Sequence, residues 1–256
     1  MMEFAIYERG DGPVITSALH AGHAMRPALL ELCALSAATR LREEDPHTAR
    51  IADIGVTSLV AERSRFEIDL NRPREAAVYR GPEESWGLDV WRSPLPPEEI
   101  ARSLDIHDRF YDAARKLLER TVREYGAAVV FDVHSYNHRR DGSHAEPADD
   151  VANPEVNVGT GTLDTGRWSD LVSLVTEKLR SADLDVRENV RFRGGHFAAW
   201  AHEEFAGDVA VLALEFKKTF MDEWSGETDF AHVERLRSVL AGCAAPVTGL
   251  ILGGGR

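Results

Sequence analysis

Two short, continuous apolar runs constrain the fold of this chain most strongly. Residues 127–131 read Ala-Ala-Val-Val-Phe and residues 209–214 read Val-Ala-Val-Leu-Ala-Leu, without a polar residue in either. A strand that lacks polar alternation must be covered on both faces, which is typical of the parallel sheets of α/β proteins. A β-branched run at residues 13–19 follows a Gly-Asp-Gly turn and is predicted to be a further buried strand. The sequence therefore predicts a mostly parallel or mixed central sheet with helices on both faces.

Helical patterns separate these runs. The longest begins in the Pro-rich stretch 94–97 and ends near Gly126. Other patterned segments predict helices at 27–38, 168–179 and 230–241, a strand within 58–70 and a long polar loop at 137–153. Because no repeat, low-complexity tract or linker divides the chain, residues 1–256 are predicted to form a single domain.

The charge of the chain narrows the class of partner. With 30 Lys+Arg and 43 Asp+Glu, the formal net charge is −13 at pH 7. Such a chain repels phosphate backbones and anionic membrane surfaces, so neither nucleic acid nor a membrane is the expected partner. A small soluble ligand is expected instead, and nothing in the sequence predicts an oligomeric state.

Compartment is inferred from what the sequence does not contain. No stretch approaches about 18 consecutive apolar residues, and the first residues carry acids where a signal peptide would be basic and then apolar. Cys33 and Cys243 lie in apolar stretches without metal-ligand spacing, and both are predicted to be reduced core residues. These features together indicate a cytoplasmic protein.

Four chemically useful side chains fall at or just beyond the ends of predicted strands. They are His20, His23, His134 and Glu215. Ligands of open α/β sheets bind beyond the carboxyl ends of the strands, so these side chains are expected to meet at one edge of the sheet.

Three of these residues are candidate metal ligands. His20 and His23 are three residues apart in a Gly-containing loop, and His134 arrives from a separate strand. Catalytic zinc commonly takes three protein ligands from imidazoles and carboxylates and keeps a fourth position open. Asp132 points to the same side of its strand as His134 and is a candidate to orient a histidine ligand. The alternative is that the histidines are solvated or hydrogen-bonded residues without a metal.

Glu215 is the candidate general base. A carboxylate after six apolar residues is costly unless it is paired or used. It could deprotonate a metal-bound water, whose pKa falls to about 7. The alternative is a salt bridge with Lys217, Lys218 or an arginine.

A dense polar segment at 64–72 is a candidate anion site. Arginine binds carboxylates through two parallel hydrogen bonds, so Asn71 and Arg72 suit a substrate carboxylate, with Arg65 as a second cation. The alternative is a strand-end turn whose arginine pairs with surface acids.

Together these motifs resemble the N-formylglutamate amidohydrolase family, over about residues 13–225. The resemblance rests on His20-Ala-Gly-His23, Ser64-Arg65 with Asp69-Leu-Asn-Arg72, Asp132-Val-His134-Ser, Arg193-Gly-Gly195 and Leu214-Glu215, which occur in the family's order. The family is similar in fold and metal site to the zinc carboxypeptidases and aspartoacylases. The resemblance therefore implies a zinc-carboxypeptidase-like fold and a hydrolase that uses Zn²⁺ or another divalent transition metal.

The resemblance also implies roles for individual residues. His20 matches the first metal ligand, His134 the last, Asn71-Arg72 the pair that holds the substrate carboxylate, and Glu215 the base. His23 stands where the related carboxypeptidases carry a glutamate ligand. If His23 is not the ligand, Asp53 or a water is the expected substitute. Gly194 and Gly195 resemble a family loop near the substrate, where glycine lets the backbone approach a ligand closely. The alternative is a plain turn. His144 and His196 are further candidates to contact the substrate or to supply protons, and His107 is expected on a solvated face of the long helix.

The function implied is zinc-dependent hydrolysis of the N-acyl amide of a small anionic N-acyl amino acid. The substrate implied by the resemblance is N-formyl-L-glutamate, an intermediate of histidine breakdown, which zinc-activated water would cleave to formate and L-glutamate. Two alternatives stand beside this function. One is a carboxypeptidase-like or aspartoacylase-like peptidase or deacylase, and the other is a non-catalytic metal-binding regulatory protein.

Overall fold

A computed structural model describes residues 3–253. The strands are β1 (Phe4–Tyr7), β2 (Val14–Ala18), β3 (Thr57–Ala61), β4 (Ala128–Tyr136), β5 (Val156–Gly159), β6 (Val186–Glu188) and β7 (Val209–Lys217). The α-helices are α1 (Pro27–Leu32), α2 (Ala37–Glu43), α3 (Thr48–Ala52), α4 (Pro97–Tyr125), α5 (Thr165–Arg180), α6 (His196–Glu204) and α7 (Phe230–Gly253). Two short 3₁₀ helices, Arg74–Ala76 and Pro82–Glu84, precede α4.

The strands form one mixed sheet in the order β1-β3-β2-β4-β7-β5-β6. The four central strands, β3, β2, β4 and β7, are parallel to one another. Antiparallel β1 closes one side, and β5, antiparallel to β7, begins the other. The carboxyl ends of β2, β4 and β7 therefore meet at one edge.

Helices cover both faces of this sheet, as predicted. One core cluster joins the sheet to α3, α5 and α7, and a second joins the opposite face to α4 and α6. On β4, Val129, Phe131 and Val133 face the first cluster, whereas Ala128 and Val130 face the second. Burial on both faces explains why this strand has no polar alternation before its last residues.

The predicted element boundaries need several corrections. The helix predicted at 27–38 is two helices. The backbone becomes extended at Cys33, which forms an isolated antiparallel β-bridge with Trp91. The strand within 58–70 stops at Ala61. Strands β4 and β7 continue through His134 and Glu215, so these side chains lie inside strands. Strands β1, β5 and β6 and helices α3 and α6 were not predicted.

Helix α7 qualifies the expectation that no segment could enter a membrane. Within residues 3–253 it is the one helix whose length and apolar composition would permit a span. Its Val233, Leu236, Leu240 and Val247 belong to the first core cluster, whereas only 22% of its apolar window is buried. One such helix is weak evidence of a membrane span. Cys33 and Cys243 are free and buried, as predicted.

Candidate functional site

The carboxyl ends of the central strands bring three of the four predicted side chains to one cavity. His20 follows β2, whereas His134 and Glu215 lie on neighbouring parallel strands in direct register. All three line a cavity of about 190 Å³. The central parallel strands therefore bring these three side chains together, as predicted.

His20, His134 and Asp45 form a buried cluster in this cavity. Nδ1 of His134 lies 3.0 Å from Oδ2 of Asp45, and Nδ1 of His20 lies 3.4 Å from the same oxygen. One ligand atom from each residue lies within 4.8 Å of the other two. Two imidazole nitrogens and a carboxylate oxygen are a donor set that suits zinc and related divalent metals.

Two further carboxylates contact the opposite nitrogen, Nε2, of the two imidazole rings. Nε2 of His20 lies 2.7 Å from Oδ1 of Asp69, and Nε2 of His134 lies 3.0 Å from Oδ2 of Asp132. Ser17 donates to the other oxygen of Asp132 at 2.7 Å. Partners on Nε2 leave the Nδ1 atoms to face Asp45, which is how metal-binding histidines are usually oriented. Asp132 thus contacts the histidine that the sequence assigned to it.

The electrostatics of the cluster follow from burial and close contact. Burial alone would lower the pKa of His134, but Asp132 and Asp45 raise it well above its ordinary value. Burial alone would raise the pKa of Asp45, yet the hydrogen bonds with His134 and His20 hold it below the usual range. For both residues, the close contacts therefore outweigh the effect of burial on the pKa.

His23 does not join this cluster, which corrects its predicted place. Its Nδ1 lies 2.5 Å from Oε2 of Glu44, and its side chain is 44% exposed. The substitute considered, Asp53, is half exposed and pairs with Arg9 on the surface. Asp45 takes the third position because its backbone N–H donates to the His20 carbonyl at 2.9 Å, which brings residue 45 beside β2.

Glu215 lines the cavity without an ion-pair partner among the described residues. Burial raises its pKa to about 7, with the nearby His134 opposing the change. The alternative salt bridges are absent from the described part of the chain. Lys217 pairs with Asp150, and Lys218 donates to backbone carbonyls. A carboxylate that is partly buried, unpaired and open to the cavity is suited to accept a proton from a bound molecule.

Only some of the residues predicted to bind anions lie in the cavity wall. Arg65 and Asn71 line the cavity, but Arg72 does not appear in its wall. The Arg72 guanidinium stacks on Tyr79 and donates to the Glu84 carbonyl at 2.6 Å. These contacts, together with a longer ion pair to Asp69 at 3.7 Å, hold the guanidinium outside the cavity wall.

Asn71 is held in place by the loop that contains Gly194 and Gly195 and by the start of α6. Its Oδ1 accepts the Phe197 N–H at the start of α6 at 3.0 Å, and its Nδ2 lies 3.4 Å from Nε2 of His134. A Cβ on Gly195 would lie 2.3 Å from the Asn71 amide, so glycine is needed there. Gly194 has φ +110°, which also favours glycine. Neither glycine is part of the cavity wall, and Gly195 packs against the Asn71 side chain.

Several cavity residues had no role predicted from the sequence. Lys218 and Arg140 add positive charge to the wall, and Trp86, Tyr136 and Phe192 add aromatic surface. Asp69 belongs to a motif identified in the sequence, but its contact with His20 was not predicted. Asp45 is preceded by two further acids and followed by Pro46, and such a run ordinarily indicates a solvated turn.

The remaining histidines lie outside the cavity wall. His144 is exposed, and His196 packs against Tyr111. His107 is buried and contacts the Arg72 carbonyl at 3.0 Å, so the expectation of a solvated face was wrong. A larger concavity of about 510 Å³ lies beside His138 and Glu223, and it contains no member of the cluster.

Known proteins resemble this chain along most of its length. Residues 12–221 match the N-formylglutamate amidohydrolase family. An N-formylglutamate deformylase of Pseudomonas aeruginosa is 27% identical, with 87% of each chain covered. A Pseudomonas putida protein of the same name is 28% identical, with 85% of each covered.

Solved structures support the fold. The crystal structure of an N-formylglutamate amidohydrolase from Ralstonia eutropha has a TM-score of 0.76 at 18% identity, covering 99% of this chain and all of the other. A gene product from Agrobacterium tumefaciens has a TM-score of 0.63 at 17% identity, with 95% of each chain covered. The match over residues 12–221 confirms the resemblance and the expectation of a hydrolase that acts on an amide bond: the chain belongs to the N-formylglutamate amidohydrolase family.

Proposed function

We propose that this protein hydrolyses the amide of a small N-formyl amino acid, with N-formyl-L-glutamate as the leading substrate. Water is consumed, the carbon–nitrogen bond breaks, and formate and L-glutamate leave. The observation that carries this function is the shared cavity of the His20–Asp45–His134 cluster and the unpaired Glu215. Family membership and the names of the two Pseudomonas relatives support the choice of substrate.

The cluster is proposed to hold one divalent ion, with zinc as the leading candidate. His20, His134 and Asp45 would supply its three protein ligands. When bound, such an ion polarises the amide carbonyl and lowers the pKa of water. Asp69 and Asp132 fix the imidazoles, so this donor set needs little rearrangement to bind the ion.

Glu215 is proposed to carry the proton. Its carboxylate takes one proton from the attacking water and returns it to the nitrogen of the leaving amine, so the group ends the cycle unprotonated. A pKa raised to about 7 by burial makes Glu215 a stronger base than an exposed glutamate. A group that must both accept and release a proton near neutral pH works best with such a pKa.

Two cations of the cavity wall, Arg65 and Arg140, are proposed to receive the carboxylates of the substrate. Arg65 is fixed by Asp69 at 2.8 Å and Tyr79 at 3.1 Å, so it presents a preorganised charge. Arg140 is half exposed, with Glu43 at 3.6 Å, and is free to turn toward a ligand. Asn71 adds an amide donor beside His134. These groups explain how an acidic chain can bind an anionic substrate locally.

The cavity volume favours a small acyl group. About 190 Å³ is below the range of roughly 300–1,000 Å³ typical of sites for drug-sized ligands. Trp86 and Phe192 form part of this wall. A substrate series with formyl, acetyl and succinyl groups on glutamate would separate a deformylase from a deacylase for larger groups.

The direct test of the base is formate release by Glu215→Gln. We expect turnover to fall by roughly 10²- to 10⁴-fold, because the amide cannot accept a proton from water. Metal content should not change, since Glu215 lies outside the cluster. Glu188→Gln, on the exposed side of β6, is the matched control and should retain wild-type turnover. Undiminished turnover in Glu215→Gln would refute the proposed role of the base.

A further inference from the structure

Lys218 is a buried cation that the reaction described above does not use. It follows β7 directly and is 1% exposed. Its Nζ donates to the Arg42 carbonyl at 2.7 Å, the Glu44 carbonyl at 2.6 Å and Oδ1 of Asn137 at 2.9 Å. An ammonium group has three donors, so all of them are occupied and none is left for substrate.

The two carbonyls belong to the chain directly before Asp45. Helix α2 ends at Glu43, and the last carbonyls of a helix have no partner within it. A cation at a helix carboxyl end is favourable because it satisfies these carbonyls and the negative end of the helix dipole. Lys218 thus fixes residues 42 and 44 from the side of β7.

Asp45 is fixed independently on its other sides. Its backbone N–H donates to the His20 carbonyl, and its own carbonyl accepts the Thr48 hydroxyl at 2.6 Å. The preceding side chain, Glu44, contacts both Ser64 and His23. The carboxylate of Asp45 is therefore aimed at His20 and His134 by a segment that Lys218 connects to the central sheet.

We propose that Lys218 is a positioning residue that holds the 42–44 segment so that the Asp45 carboxylate stays in place for the divalent ion. This inference rests on the proposed metal site. Removal of Lys218 would leave two buried carbonyls unpaired and allow the segment to shift, so Asp45 would bind the ion from a poorer position.

Lys217 provides an internal control for charge and strand position. It is the neighbouring residue, and its side chain is also largely buried. Its Nζ contacts Asp150, an exposed residue of the 137–153 loop, and not the chain before Asp45. Lys217→Met and Lys218→Met therefore remove the same charge from adjacent positions, but only Lys218→Met releases the 42–44 segment.

The experiment compares zinc dissociation constants by competition with a chromogenic chelator, in wild type, Lys218→Met and Lys217→Met. We expect zinc affinity to fall about 10- to 100-fold in Lys218→Met, as is common for outer-shell partners of metal ligands. Lys217→Met should keep wild-type affinity. Thermal unfolding of the metal-free variants, measured in parallel, separates a loss of stability from a loss of zinc affinity.

Unchanged zinc affinity in a folded Lys218→Met would overturn the inference while leaving the proposed function intact. If Lys218→Met does not fold, Lys218→Arg is compared instead, because its planar guanidinium keeps the charge but cannot meet three acceptors around one nitrogen. Wild-type affinity in Lys218→Arg would then overturn the inference. A wild-type protein that binds no zinc would overturn the metal site itself, which is a distinguishable result.

Discussion

At the scale of single residues, the candidate site depends on which nitrogen of each histidine is occupied. Asp69 and Asp132 contact Nε2 of His20 and His134, so both Nδ1 atoms face Asp45. Carboxylates behind imidazoles fix the ring and increase its basicity, which favours a bound cation. The carboxylates of Glu43, Asp45 and Glu215 line the cavity, and those of Asp69 and Asp132 contact its histidines. Asp69 pairs with Arg65 and Glu43 with Arg42, and a divalent ion would offset the negative charge that remains.

Substrate binding is tested at this scale by Arg140→Met. The guanidinium lines the cavity and is only loosely engaged by Glu43, so its loss should raise KM about tenfold with little change in kcat. Tenfold corresponds to about 1.4 kcal/mol, near the lower range for a hydrogen bond to a charged group. Arg72→Met is the comparison, because Arg72 contacts the Glu84 carbonyl and stays out of the cavity wall. A larger rise of KM in Arg72→Met than in Arg140→Met would contradict this assignment.

The site residues that could be predicted from the sequence are those that lie on, or directly after, a central strand. His20, His134 and Glu215 could be found because parallel strands end at one edge, whatever the details of packing. Asp45 could not be found, since it reaches the edge through a backbone hydrogen bond to His20 after two helices and a turn. The orientation of the Arg72 side chain could not be predicted either. It depends on contacts with the Tyr79 ring and the Glu84 carbonyl, which only the folded structure brings beside this flexible side chain.

At the scale of elements, the 137–153 loop is anchored where it leaves β4. Oε1 of Glu223 accepts the backbone N–H of His138 at 2.6 Å and that of Arg139 at 2.9 Å. Trp224 donates to the Arg139 carbonyl at 2.8 Å. The segment after β7 therefore fixes the start of the loop that carries Arg140 into the cavity wall.

Glu223→Gln tests this anchor through its pH dependence. Burial alone would raise the pKa of Glu223, but hydrogen bonds from His138 and the two backbone amides lower it below its ordinary value. A lowered pKa means that the ionised group stabilises the fold above its unfolded pKa, and that this stability is lost as pH falls through the folded pKa. We expect Glu223→Gln to reduce the free energy of unfolding by about 1–2 kcal/mol at pH 7. The difference from wild type should shrink in acid.

Urea unfolding at a series of pH values measures this difference, with the exposed Glu227→Gln as control. Hydrogen exchange of the amides of His138 and Arg139 should also accelerate in Glu223→Gln. A difference in stability that grows as the pH falls would show that Glu223 is not the anchor described here.

At the scale of the whole molecule, the site joins parts of the chain that are far apart in sequence. Residues 20, 45 and 134 come from the end of β2, the turn after α2 and the interior of β4. The alternation of apolar runs and helices was enough to predict a covered, largely parallel sheet. The strands β1, β5 and β6 were not predictable in the same way, because they are only three or four residues long and gain their stability from pairing. The net charge of −13 belongs to the chain as a whole, whereas the cavity wall balances Arg65, Arg140 and Lys218 against Glu43, Asp45 and Glu215.

The central claim is that His20, Asp45 and His134 hold a divalent ion, and it is tested most directly by zinc content. Wild type, Asp45→Ala, His134→Ala and His23→Ala are purified identically, loaded with zinc, dialysed and analysed for bound metal, with folding checked by circular dichroism. We predict one zinc per chain in wild type and in His23→Ala, and loss of bound zinc in Asp45→Ala and His134→Ala. Zinc lost in His23→Ala but retained in folded Asp45→Ala would contradict the account.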